Sequence, residues 1–245
     1  MKRYRIKFEK LGNMRFIGHL DTVALFQRCV KLAQLPISYS KGYHPRQEIV
    51  FALPLGLGIA STAEFADIQL EKAIPTEDLA DSLNSRFPTG IKIIGARPIS
   101  QNERSAPRIV IAAEYEIVVP DIANPIQYGE CSKTQITNEQ PSFAVQHEPI
   151  LDEVSYNIKQ QVDDLLNAKE AMITKKSKNG EKLINIRPLI FSAIYEKNKL
   201  KATLTTGEKN LKPQLLMQYL APFAENIKYT RTDILKEGLN SLWMQ

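Results

Sequence analysis

Six segments of alternating hydrophobic period follow one another in the first hundred residues, and their order constrains the fold more than any other feature. Residues 3 to 9 place Tyr4, Ile6 and Phe8 on one side and cations on the other, the period of two that marks a half-buried strand. From His19 to Gln34 the apolar residues Val23, Phe26, Val30 and Ala33 recur at helical steps, with Leu35-Pro36 as the stop. Gly18 is the expected N-cap, and Asp21 is placed to face the free N–H groups of the first turn. Residues 47 to 53 and 64 to 71 read as strands, separated by Pro54-Leu55-Gly56-Leu57-Gly58. A second helix is predicted from Thr76, as N-cap, to Phe87, and a fourth strand from Ile91 to Ile99. The order β-α-β-β-α-β predicts an α+β, ferredoxin-like unit with two helices on one face of four antiparallel strands.

Residues 101 to 107 carry no apolar period and read as a linker between residues 1–100 and 108–245. The second half repeats the theme with strands at 108–119, 172–178, 182–186, 191–195, 200–205 and 226–232. Helices are predicted at 153–168 and 212–220, and a polar insertion near 120–150. Asn179-Gly180 is a strong hairpin signal. Two ferredoxin-like units in tandem, the second elaborated, are therefore expected.

Hydrophobic residues make up 43% of the 245 and charged residues 24%, the composition of a globular protein. No apolar run is long enough to span a bilayer, and Met1 to Lys7 lacks the apolar core of a signal peptide, so no membrane association and a cytoplasmic location are expected. Two cysteines, Cys29 and Cys131, are too few for a disulfide framework or a cysteine-ligated cluster. Cys29, inside a helical pattern, reads as a small buried hydrophobe.

The net charge of +5 is concentrated. Residues 1 to 50 hold ten Lys and Arg against three acids, a balance of +7, so the other 195 residues sum to −2. Clustered cations steer and hold phosphates, whereas dispersed ones serve solubility. A solvated charged face is the competing explanation.

Three motifs follow in order: Gly18-His19-Leu20-Asp21, then Tyr39-Ser40-Lys41-Gly42-Tyr43-His44-Pro45, then Ala52-Leu53-Pro54-Leu55-Gly56-Leu57-Gly58. This series resembles the bacterial radical SAM-linked protein family, and the match extends through Glu64 to Ile68 and to Asn185-Ile186-Arg187-Pro188 and Arg231-Thr232-Asp233. Members of that family accompany, or are fused behind, cobalamin-binding radical SAM proteins, often beside ribonuclease-G-type genes. The resemblance implies RNA modification or processing, with a radical SAM protein as partner and tRNA or rRNA as substrate. This chain has no Cys-x3-Cys-x2-Cys, so it would be the companion and not the radical SAM enzyme.

Three chemistries compete for these residues. In the first, Arg15, His19, Tyr39, Lys41, Tyr43, His44 and Arg46 bind RNA, with Phe16 and the tyrosines stacking on bases. Lys175, Lys176, Lys178 and Lys182 around the hairpin extend that track or, alternatively, block strand-to-strand aggregation. In the second, the protein is a metal-independent endoribonuclease resembling those that process CRISPR repeats; His19 or His44 is the general base and Lys41 and Arg46 stabilise the phosphorane. In the third, His19, Asp21 and His44 hold zinc or iron, but no spacing enforces it. Gly56 and Gly58 lack the third glycine of a dinucleotide fingerprint, and Ser38 and Ser40 lack a nucleophile elbow. No cofactor and no metal are expected, and the accessory RNA-binding role is the preferred reading.

Overall fold

The computed structural model describes residues 1–119, 151–177, 180–222 and 224–244, without the side chains of 151–157, 176, 177 and 208. The insertion expected near 120–150, Cys131, Lys178 and Asn179 lie outside the described residues. Among those described, the elements run β1 (Lys2–Lys10), α1 (His19–Leu32), β2 (Ile49–Phe51), β3 (Ala60–Leu70), α2 (Thr76–Asn84) and β4 (Ile91–Ile99). They continue with β5 (Val110–Val118), α3 (Leu151–Asn167), β6 (Met172–Ser177), β7 (Gly180–Asn185), β8 (Ile190–Glu196), β9 (Lys199–Thr205), α4 (Pro213–Leu220), β10 (Lys228–Lys236) and β11 (Asn240–Ser241). The chain is a mixed α+β protein built on one large sheet.

That sheet runs β4-β1-β3-β10-β5-β9-β8, with β2 paired to β3 and β11 to β10. β6 and β7 form a separate two-stranded ribbon. Neighbours are antiparallel except β3 and β10, which are parallel through Ala60–Thr230 and Ser61–Arg231. The strands of the first hundred residues thus stand in the order fourth, first, third, second; β10, β5, β9 and β8 repeat that order in the second half. The ribbon is inserted between α3 and β8.

Tyr4, Ile6 and Phe8 of β1 point into the core with Ala66, Ile68 and Leu70 of β3, and Phe26, Val30, Leu79 and Leu83 of α1 and α2 close over them. Alternation along the strands places all of these on the sheet face that carries both helices. A second core gathers Tyr115, Ile117, Leu200 and Leu204 under α3 and α4, and reaches back to Leu55 and Ile59. Cys29 is buried as expected and its thiol donates to the Arg86 carbonyl at 3.3 Å.

The opposite face is not left to water. Phe65 stacks against Trp243, and residues of the 100–109 segment lie over Arg5 and Asp67. Arg5 is fully buried, with Nε at 2.7 Å from Asp67 and NH1 at 2.9 Å from Glu103. The cations of β1 were expected on a solvated side; Arg5 instead sits under a covering segment and is neutralised there.

Small boundary corrections have local causes. Pro75, not Thr76, occupies the N-cap position of α2, since Pro75 is extended and Thr76 is already helical. β10 starts later than expected because Asn226 adopts a left-handed φ of 56°, and it continues to Lys236 because Ile234 and Leu235 are buried. No helix among the described residues is long and apolar enough to cross a membrane.

Candidate nucleic-acid interface

The connection from α1 to β2 is built as a small projecting loop. Ile37 bridges to Leu70 and Tyr39 bridges to Gln47, while the N–H of Ser40 donates to Arg46 and the N–H of Arg46 to Ser40 Oγ at 3.0 Å. Ser40 therefore acts as a turn residue through its hydroxyl, whereas Ser38 is buried, pairs with Gln69 and Glu48 through its backbone, and has no hydrogen-bond partner for its hydroxyl among the described residues. Between these closures Lys41, Gly42, Tyr43, His44, Pro45 and Arg46 are all exposed, and Tyr43, at 102% relative exposure, touches almost nothing. Beneath them Gln47 is buried and anchors the loop to α1 by donating to the Gln27 carbonyl at 3.2 Å.

A second group surrounds the start of α1. Gly18 is its N-cap and donates its N–H to Asp21 Oδ2 at 3.2 Å, the arrangement the sequence called for. Just before it, the 3₁₀ turn Gly12–Phe16 is held at both ends: the Leu11 N–H reaches the Gly90 carbonyl at 2.7 Å, and the Gly58 N–H reaches the Arg15 carbonyl at 2.8 Å. The Arg15 guanidinium lies 4.6 Å from the Phe16 ring centroid. His19 sets its ring edge-on to Phe51 at 5.6 Å. Phe16, Leu20 and Leu57 stay exposed around these groups, at 56%, 80% and 65%. Of the apolar segment from Phe51 to Leu57, Pro54, Gly56 and Leu57 are exposed, whereas Leu55 is buried in the second core and Phe51 packs on Phe26.

Under His19 lies a group of charges to which the sequence reading gave no role, although Glu64 and Arg231 each stand in a segment that carries the resemblance. Lys10, Glu64 and Arg231 are all buried on the helix face of the sheet, where β3 meets β10. Arg231 NH1 contacts both carboxylate oxygens of Glu64 at 3.0 and 3.1 Å, and its NH2 donates to the Pro54 carbonyl at 3.0 Å. Lys10 Nζ donates to the Ile17 carbonyl at 2.7 Å. Two cations thus each hold one loop of the surface above, and the carboxylate shares their charge. Burial pushes the Glu64 carboxyl above its ordinary range, opposed first by Arg231. It also lowers the Lys10 pKa, opposed first by Glu64. His19 is lowered as well, by burial and then by the Lys10 charge, so its imidazole is neutral near pH 7. A further signal for this group exists in the sequence: Lys10 continues the buried Tyr4-Ile6-Phe8 alternation, where a cation is out of place.

The expected site residues therefore fall into two groups. Arg15 and His19 share the α1 entry, and Tyr39, Lys41, Tyr43, His44 and Arg46 share the projecting loop. Among the described residues, no hydrogen bond, ion pair or ring contact links one group to the other. Arg46 lines a cavity of about 380 Å³ with Arg3, Ser40, Val50, Gln69 and Ser105, and His19, Tyr43 and His44 do not line it. His19, Asp21 and His44 do not form a metal cluster; no group of three such ligands comes together among the described residues. The Asn185-Arg187 motif has a structural part: Asn185 Oδ1 accepts from the N–H of Ala171 and of Arg187, and the Arg187 guanidinium donates to the Leu166 and Ile190 carbonyls.

No curated protein matches the chain. A family model described as "Uncharacterized protein conserved in bacteria (DUF2344)" matches residues 3–213, which takes in both groups, Lys10 and Glu64, and the ribbon. The chain belongs to that family of uncharacterised bacterial proteins.

Proposed function

We propose that this protein is a non-catalytic RNA-binding or substrate-presenting accessory protein that works with a radical SAM system for RNA modification or processing. One observation carries the reading: the surface cations between residues 15 and 46 are unspent and stand among exposed rings. Arg3 and Arg5 are engaged by Asp67 and Glu103. Arg15, Lys41 and Arg46 have no carboxylate partner among the described residues, and Phe16, Tyr39 and Tyr43 beside them are exposed. Unpaired cations interleaved with accessible aromatics suit a single strand, whose phosphates take the charge and whose unstacked bases take the rings. Each half, with its fourth-first-third-second strand order, is on this reading a ferredoxin-like unit that supplies the platform.

The test is binding of total bacterial RNA, followed over a range of salt, by the native chain and by Lys41→Ala/Arg46→Ala. Each phosphate contact to a single strand contributes about 0.7 to the slope of log affinity on log salt, so the double variant is expected to lose about 1.4. Absence of RNA binding at about 0.1 M salt would sink the reading. Retention of a radical SAM protein on the immobilised chain tests the partnership.

A second reading, the metal-independent endoribonuclease, is favoured by the placement of His19: its ring stands at the α1 entry, edge-on to Phe51 and near the exposed Phe16, Leu20 and Leu57, and burial with the nearby Lys10 lowers its pKa, the direction that favours an imidazole able to take a proton from a 2′-hydroxyl. Discrete RNA fragments formed without metal and lost in His19→Ala support it. Binding without cleavage supports the accessory role.

A further inference from the structure

We infer that the β6–β7 ribbon is a second phosphate-gripping arm, with Lys175 and Lys182 on its inner face as the contacts. This rests on the RNA reading above and extends it to a part of the chain far from the first fifty residues.

Ile173 stands opposite Ile184, and one step along the same face Lys175 stands opposite Lys182. Side chains alternate along a strand, so these four share one side of the ribbon. At the base that side is the inner one, since Ile173 is buried and Ile184 packs against the second core. Two residues further out, about 7 Å along the strand, the same side carries two exposed lysines. The ribbon therefore packs on the protein with its apolar end and exposes its cationic one.

Two like charges directly opposite on a ribbon bring their Cβ atoms to about 4.5–5.5 Å and cost stability. Neither lysine has a carboxylate partner across the ribbon, because the acid on β7, Glu181, stands opposite Lys176 and alternation puts it on the other face. Strand blocking does not require this arrangement: a single lysine on an edge is enough. An anion between the two ammonium groups turns their repulsion into a shared attraction.

The repeat in strand order adds an independent reason. In the first half the connection from the first helix to the second strand, residues 33–48, is the one that projects Lys41, Tyr43 and Arg46. In the second half the same connection, residues 168–189, is the one that carries the ribbon, with six Lys and Arg against two acids in the sequence. Both halves thus put a basic projection at the equivalent place. The base of the ribbon is fixed by the Ile186 N–H donating to the Ala171 carbonyl at 2.8 Å and by Asn185 Oδ1 accepting from the Ala171 N–H.

The experiment compares the native chain with Lys175→Gln/Lys182→Gln for binding to single-stranded RNA across a salt series, with thermal unfolding measured on both. The expected result is a salt slope lower by about 1.4, with weaker binding and an unfolding midpoint that is unchanged or higher because the repulsion is gone. Lys175→Arg/Lys182→Arg should bind as the native chain does. Unchanged RNA binding in the Gln variant, with binding still lost in Lys41→Ala/Arg46→Ala, overturns the arm and leaves the RNA reading standing. A native chain that binds no RNA overturns both. RNA binding unchanged in the Gln variant while retention of a radical SAM protein is lost assigns the ribbon to a protein partner, and also overturns the proposal.

Discussion

Arg231 holds both carboxylate oxygens of Glu64, 167 residues before it in the chain, at 3.0 and 3.1 Å inside the protein. The pair crosses the parallel junction of β3 and β10, so the two halves of the sheet are tied by charge at the point where their backbone pairing is shortest. Lys10 makes the group a buried triad with one positive charge in excess. Glu64→Gln removes the only acid of the triad and leaves two buried cations facing each other. The expected cost is about 3–5 kcal/mol, read from the shift of a urea unfolding curve. Lys10→Met/Glu64→Leu/Arg231→Met, which removes every charge, is expected to recover most of that loss. A Glu64→Gln variant within about 1 kcal/mol of the native chain contradicts this picture.

His19 gives a pH dependence of defined sign. Its folded-state pKa lies below the ordinary 6.5, because the ring is partly buried and Lys10 is near. The unfolded chain then holds the proton more tightly than the folded one. Stability from a neutral His19 is complete above about 6.5 and is lost as pH falls through the lowered value. An NMR titration of the imidazole should give a midpoint below 6.5, and His19→Gln should flatten the fall in stability between pH 7 and 5. A midpoint at or above 6.5 rules the mechanism out.

Gly90 supports the α1 entry from below. Its φ is +98°, and a Cβ there would lie 2.6 Å from the Leu11 carbonyl oxygen and 2.8 Å from the Met14 side chain. Gly90→Ala therefore combines a left-handed strain of about 1–3 kcal/mol with displacement of the turn that carries Arg15 and Phe16. Gly12 in the same turn also has a positive φ, but nothing lies within 4 Å of its Cβ position. Thermal unfolding should show a larger loss for Gly90→Ala than for Gly12→Ala, and equal losses would remove the steric half of the argument.

Much of this architecture was readable in advance because local pattern and tertiary burial agree. Tyr4, Ile6 and Phe8 alternate because one face of β1 packs under helices, and Gly18 with Asp21 announces a helix start through chemistry confined to four residues. β3 is less legible. Residues 63 to 68 are buried without a break, because helices cover one face and the 100–109 segment with Trp243 covers the other, so no period of two survives. The same double cover hides the triad. Glu64 and Arg231 look like ordinary charged strand residues until the junction of β3 and β10 brings them together, and sequence separation carries no trace of that pairing. Charge counting marked the first fifty residues correctly as cationic, but it gave Arg5 and Lys10 the same weight as Arg15 and Lys41, although ion pairs and burial remove the first two from the surface.

Phe16 separates an RNA surface from a merely charged one. Its ring is more than half exposed and lies under the Arg15 guanidinium, so it contributes little to the core, and Phe16→Ala should leave the unfolding free energy within about 0.5 kcal/mol of the native chain. A base stacked on an aromatic ring contributes about 1–3 kcal/mol, so the same substitution is expected to weaken binding to single-stranded RNA by roughly 5- to 150-fold. The loss should persist at high salt, because stacking releases no counterions, whereas the loss in Lys41→Ala/Arg46→Ala shrinks as salt rises. Fluorescence anisotropy with a labelled oligonucleotide at two salt concentrations measures both. If Phe16→Ala binds RNA as tightly as the native chain, the α1 entry does not stack on bases, and its exposed Leu20 and Leu57 then belong to something other than RNA.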